Sequence, residues 1–175
     1  MRITVLLSST KHPIHTLLNK WIDDNKAKHE INLINNKSEL GSGDILFLIS
    51  CAEVITSEER ELYNKTLIIH ASDLPEGKGW SPHIWQLING QNKLVVTLLE
   101  AEDKVDSGDI WSQLNIEIPK DALWHEINQY IFNAELELMN FALNNYDHIH
   151  PRAQSKLISP ISGIRCPCFF DLTSF

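Results

Sequence analysis

The stretch IIHASDLPEGKGWSP, Ile68 to Pro82, holds the residues best suited to chemistry: an apolar run stops on His70, and a loop dense in Pro, Gly and charge follows. Histidine ordinarily titrates near neutral pH, so it can give or take a proton within a reaction. A histidine at the carboxyl end of a buried strand, ahead of a long shaped loop, sits where open α/β sheets place their ligands. Alone, such a histidine is more often a hydrogen-bonded structural residue than a catalyst, so its company decides. Lys78 suits an anionic acceptor or plain solvation, and EGKGW lacks the strand and helix context of a phosphate-cradling glycine loop. Trp80 and Trp85 flank a helix start, where core packing is the expected role ahead of stacking on a flat ligand ring.

The elements that position these residues follow from hydrophobic spacing. RITVLLS is a buried-strand run, and HPIHTLLNKWIDDNKAK carries Ile14, Leu17, Leu18, Trp21 and Ile22 at helical intervals. EINLINN alternates as a short strand, and DILFLISCA is a continuous apolar run typical of central parallel strands. Thr56-Ser57-Glu58-Glu59 opens a helix with a capping residue and first-turn acids. KTLIIHA is the strand that delivers His70, and Ser81-Pro82 starts a helix that stops at Gly90. KLVVTLLEA and GDIWSQLNIEI are two more strands, and PKDALWHEINQYIFNAELELMNFALNNY is a long amphipathic helix. Alternating strands and helices imply an α/β fold, a Rossmann-like, doubly wound, mostly parallel sheet with helices on both faces.

At 175 residues the chain suits one domain, taken as residues 1–150, with 151–175 as an atypical carboxyl-terminal tail. A net charge of -8 disfavours a phosphate-backbone partner, since nucleic-acid binders need clustered basic surface. The first apolar run is too short for a signal core, and no run reaches membrane-spanning length. Cys51, Cys166 and Cys168 do not form a disulfide framework, so a cytoplasmic protein is expected. The pairs His12/His15 and His148/His150 lack zinc-site company and are read as surface or capping residues, and no metal is expected.

His70, Ser72, Leu74 and Pro75, followed by Gly79 and Pro82, resemble the His-x-Ser-Leu-Leu-Pro segment of the 10-formyltetrahydrofolate-dependent formyltransferases. VTLLEAEDKVDSGDI, Val96 to Ile110, resembles that family's strand, acidic loop and Asp-x-Gly-Asp turn, and the two halves align together without a gap. The match runs from about Lys65 to Ile116. The resemblance implies formyl transfer from 10-formyltetrahydrofolate to an amine, with His70 handling the proton and the oxyanion and Asp106 orienting it and helping to move the proton. It assigns Ser72, Leu74, Pro75 and Gly108 to the co-substrate side, and Lys78 and Trp80 to the acceptor side. Asp109 is the weaker carboxylate, a turn or supporting group. Gly108 would permit a turn that other residues cannot follow.

One departure stands out: where the family has an asparagine two residues before the histidine, this chain has Ile68. Isoleucine cannot donate a hydrogen bond to an oxyanion, so Ser72 or a backbone N–H would have to serve, or the site is impaired. The wording HASDLP and GWSP is closest to the sugar-type members, and an amino sugar carried on a nucleotide is the expected acceptor. A glycinamide ribonucleotide acceptor stays open, although LLSSTKHP has no glycine for a phosphate loop. So do a non-catalytic folate-binding domain of the same shape and a doubly wound nucleotide-binding module of another chemistry. Residue types leave a homodimer open. HPRAQ, through Gln154, resembles the Pro/Arg/Gln stretch before a returning strand in many formyltransferases, whereas SKLISPISGIRCPCFFDLTSF matches nothing that should follow. A reading frame lost after Gln154 is one hypothesis for that ending; the same tail in a well-folded close relative would overturn it.

Overall fold

Alternation along the first strand sets the architecture. In β1 (Arg2–Leu7) Ile3, Val5 and Leu7 join one core, while Leu6 faces the opposite side of the sheet. The same division recurs in β3 (Gly43–Ile49), where Ile45, Phe47 and Ile49 take the first side and Leu46 and Leu48 the second. The computed structural model describes residues 1–154. Within them, β2 (Glu30–Ile34), β4 (Tyr63–His70), β5 (Lys93–Glu100) and β6 (Ile110–Glu117) complete a sheet of order β2-β1-β3-β4-β5-β6.

Strands β1 to β4 pair in parallel, and β5 runs antiparallel to both β4 and β6. The doubly wound, mostly parallel α/β sheet expected from the sequence is the observed fold. Its two faces are covered unequally. The larger core lies under α1 (His15–Asn25) and α4 (Trp124–Asn145), whose Leu18, Trp21, Ile131, Leu138 and Met139 are buried against it. There Trp21 meets Phe47 edge-on at 6.3 Å and donates its indole N–H to Asn140 Oδ1 at 2.7 Å. The second face holds Leu6, Ile34, Leu46, Leu48, Ile55 and Tyr63. Two short helical pieces accompany it, a 3-10 turn at Lys37–Glu39 and α2 (Ser57–Arg60). The helix expected from Thr56 is thus a single turn, its start fixed by a reciprocal cap in which Glu59 N–H donates to Thr56 Oγ1 and Thr56 N–H to Glu59 Oε2.

Helix α3 (Pro82–Ile88) fills the link between β4 and β5. None of the described helices is long and apolar enough to cross a membrane. One inward position of α4 breaks its apolar face: Glu135 is 8% exposed, and Oε2 has no hydrogen-bond partner among the described residues. Burial pushes its carboxyl up to about 8. The tail from Ser155 to Phe175, with Cys166 and Cys168, lies outside the described residues.

Candidate active site

His70 is the last residue of β4. Side chains alternate along the strand, so His70 and Ile68 share the face opposite α1 and α4, while Leu67 and Ile69 turn toward the larger core. The imidazole is nearly enclosed, with its side chain 12% exposed. Nε2 lies 2.8 Å from the carbonyl oxygen of Gly77. A carbonyl can only accept, so Nε2 carries the hydrogen in the neutral ring and Nδ1 is left with the lone pair.

Asp106 comes from the loop between β5 and β6 and stands 3.7 Å from the same Nε2. That distance is beyond a hydrogen bond but within reach of a charge developing on the ring. Its Oδ2 accepts the Gly79 N–H at 2.9 Å. One short segment therefore joins the two groups, with Gly77 taking the histidine through its carbonyl and Gly79 holding the carboxylate through its amide. Both glycines have positive φ, 68° at Gly77 and 98° at Gly79, which explains why this segment is glycine-rich. At Gly77 a Cβ would also stand 2.9 Å from Ser72 Cβ.

The DSGD turn is built differently from the sequence expectation. The left-handed residue is Asp106 itself, at φ 50°, and Gly108 is required for close approach: a Cβ there would stand 1.9 Å from the Glu100 carbonyl oxygen. Asp109 is exposed and acts through its backbone, its carbonyl accepting the Glu100 N–H at 2.9 Å. That agrees with a turn role.

The other assigned residues fall into two groups. Ser72 and Leu74 are buried, Leu74 packing with Leu99 and Ile110. The Ser72 carbonyl accepts from Thr97 Oγ1 at 2.6 Å, while Ser72 Oγ has no partner among the described residues. Pro75 follows a cis peptide bond after Leu74. Leu74 is thus turned into the packing, away from solvent. Lys78 and Trp80, by contrast, face solvent, Trp80 being 78% exposed. Trp85 is 50% exposed, so core packing for the two tryptophans is overturned: α3 has no buried residue and lies on the rim. Ile68 is half-buried and packs beside Leu74, Leu99 and Ile110, on the floor of the site.

Three residues escaped the sequence reading. His83, on α3, is held below the usual histidine range, first by burial and then by the proximity of His70, and its Nδ1 is buried without a partner among the described residues. Gln154 and Arg152 lie in a segment that returns to the start of β6, where Arg152 and Ile110 exchange backbone hydrogen bonds at 2.8 Å each way. Only the likeness of HPRAQ to a segment before a returning strand hinted at this. Of the His12/His15 pair, His12 Nδ1 accepts the Ile14 N–H at 3.3 Å ahead of α1, and His15 Nδ1 lies 3.0 Å from Asn19 Nδ2 within it. Two open depressions of about 290 and 270 Å³ lie elsewhere, one beside β4 and Glu100 and one between α1 and α4.

Comparison with known proteins bears on this arrangement. Residues 5–143 match the formyl transferase family. Methionyl-tRNA formyltransferase from Rickettsia bellii (strain RML369-C) is 31% identical over 157 residues, covering 85% of this chain and 50% of the relative. The chain spans about half the length of the curated relatives it matches. Among solved structures, methionyl-tRNA formyltransferase from Clostridium thermocellum superposes with a TM-score of 0.74 at 22% identity, covering 89% of this chain and 69% of that one. The formyltransferase PseJ from Anoxybacillus kamchatkensis, in complex with UDP-4,6-dideoxy-4-formamido-L-AltNAc and tetrahydrofolate, gives a TM-score of 0.66 at 18% identity, covering 89% and 82%. At these identities the superpositions speak for the fold.

Proposed function

We propose, from the premise that this chain belongs to the formyl transferase family, that it transfers a formyl group from 10-formyltetrahydrofolate to the amine of a small acceptor, an amino sugar carried on a nucleotide. The observation that carries the reading is the meeting of His70, from the end of β4, and Asp106, from the loop after β5, across the Gly77–Gly79 segment. The attacking nitrogen must lose a proton, and negative charge must be accommodated on the formyl oxygen. His70 offers an imidazole for the proton, and Asp106 supplies a fixed negative charge beside any positive charge on that ring. Ser72, Leu74, Pro75 and Gly108 form the wall for the co-substrate, the contacts being mainly to backbone. Acceptor binding is assigned to Lys78 and Trp80, whose exposure beside the site leaves them free for a phosphate and a flat ring.

The curated relatives' names favour a second acceptor, methionyl-tRNA. Against it stands the net charge of -8, which disfavours an RNA backbone. Calorimetry with a stable folate analogue tests the common part of both readings. Low-micromolar binding is expected, and none at millimolar ligand would sink formyl transfer. Competition by a nucleotide-linked amino sugar, but not by tRNA, for the transfer reaction then separates the acceptors.

Ile68 gives a sharper test of the chemistry. The side chain lies two residues before His70 on the same face, where an asparagine amide could reach the developing oxyanion. Ile68→Asn is expected to raise kcat by about a hundredfold, the typical worth of one such donor. It should also lower stability by about 1–3 kcal/mol through lost packing on Leu74 and Leu99. A folded, folate-binding variant with unchanged kcat would show that another group already stabilises the oxyanion.

A further inference from the structure

We propose that Gln154 is a positioning residue of this site, holding the Asp106 turn in register with His70. Its Nε2 donates to two carbonyl oxygens, those of Asp106 and Gly108, each at 2.9 Å. Both neighbours are acceptors only, so the amide orientation is unambiguous and the two Nε2 hydrogens are fully used. Oε1 is buried without a partner among the described residues, so the clamp is what this amide does there.

The clamp acts where the backbone most needs it. Asp106 has φ 50°, a left-handed conformation disfavoured for any residue with a Cβ, and Gln154 bonds the carbonyls on either side of Ser107. Backbone pairing of Arg152 with Ile110 fixes Gln154 two residues later. The same segment reaches the other wall. Arg152 donates to Gln113 Oε1 at 2.9 Å, Gln113 Nε2 to Thr97 Oγ1 at 3.1 Å, and Thr97 Oγ1 to the Ser72 carbonyl at 2.6 Å. Residues 152–154 thereby fix the loop after β4 and the loop after β5 relative to each other. With the Gln154 amide removed, the carboxylate keeps only the Gly79 N–H to aim it at His70.

The inference rests on the formyl-transfer reading only for its activity arm. The test uses the full chain carrying Gln154→Ala or Gln154→Glu, the second setting carboxylate oxygens against two carbonyls. The structural readout is amide hydrogen exchange at Gly79, whose N–H reports directly on Asp106 Oδ2, with the Phe47 amide of β3 as reference. Exchange at Gly79 is expected to rise about tenfold or more while Phe47 is unchanged. In the enzyme, kcat should fall about 10- to 100-fold, with KM for the acceptor within about twofold of wild type. Unchanged exchange at Gly79 would overturn the proposal, and so would an equal rise at Gly79 and Phe47, which marks general destabilisation. A selective rise at Gly79 in a chain that transfers no formyl group would uphold the positioning role and reject the proposed function.

Discussion

Replacing His70 by alanine is expected to lower formyl transfer about a thousandfold while leaving the protein folded. In the proposed reaction the imidazole serves at once as proton handler and as part of the charge environment of the formyl oxygen, and each role is typically worth about 100- to 1000-fold or more. Its structural contribution is small by comparison. The ring sits at the end of β4 rather than in its middle, and its hydrogen bond goes to one loop carbonyl, that of Gly77. Truncation should therefore cost about 1 kcal/mol of stability, the worth of one ordinary hydrogen bond. Folate-analogue affinity should persist, since the co-substrate wall is assigned to other residues. The measurement is kcat for wild type and variant beside their melting temperatures and calorimetric affinities. A variant within tenfold of wild type would remove His70 from the chemistry and move attention to His83, the other imidazole of the site.

The second large effect is on stability and its dependence on pH. Glu135 sits on the inward face of α4, with the buried Ile131, Phe132, Leu138 and Met139 one turn to either side. Burial raises its carboxyl from an ordinary 4.5 to about 8 in the folded protein. Below about pH 4.5 the group is protonated in both states and carries no ionisation penalty. Between there and about pH 8 the unfolded chain ionises it while the folded chain keeps the proton, so stability falls as pH rises and levels off above the folded value. The full loss amounts to at most about 5 kcal/mol. Glu135→Gln, neutral at every pH and of the same shape, should be more stable than wild type by a margin that widens from pH 5 to pH 8. Urea melts of both proteins across that range check it. Parallel curves would mean that the carboxyl finds water or a partner when it ionises.

Much of the framework was legible because it rests on local signals. Apolar runs such as DILFLIS and the spacing of Leu18 and Trp21 depend on burial alone, and they gave β3 and α1 near their observed positions. His70 at the end of a strand was legible for the same reason, whereas the turn at DSGD was read from the resemblance, which did not show that Asp106 is its left-handed residue. What was not legible depends on partners far away in sequence. Nothing in KLVVTLLEA says that β5 runs against its neighbours, since a strand buried on both faces reads alike in either direction. Two tryptophans beside a helix start suggested packing, yet the helix they flank lies on the rim, and residue type alone does not report which face an element turns outward. Glu135 falls on the apolar stripe of α4 in a helix rich in acids, and only the packed structure separates it from its solvent-facing neighbour Glu137. Gln154 bonds residues 46 and 48 positions earlier, a relation that no local pattern carries.

That separation also bears on the order of events when the chain is made. Synthesis runs from the amino end, so all six strands and α4 are made before Arg152 and Gln154 exist to join them. The strands have their contacts with one another before then, whereas the turn bearing Asp106 gains its clamp only once residues 152–154 have followed α4. The geometry of the candidate site is then completed after its sheet rather than with it.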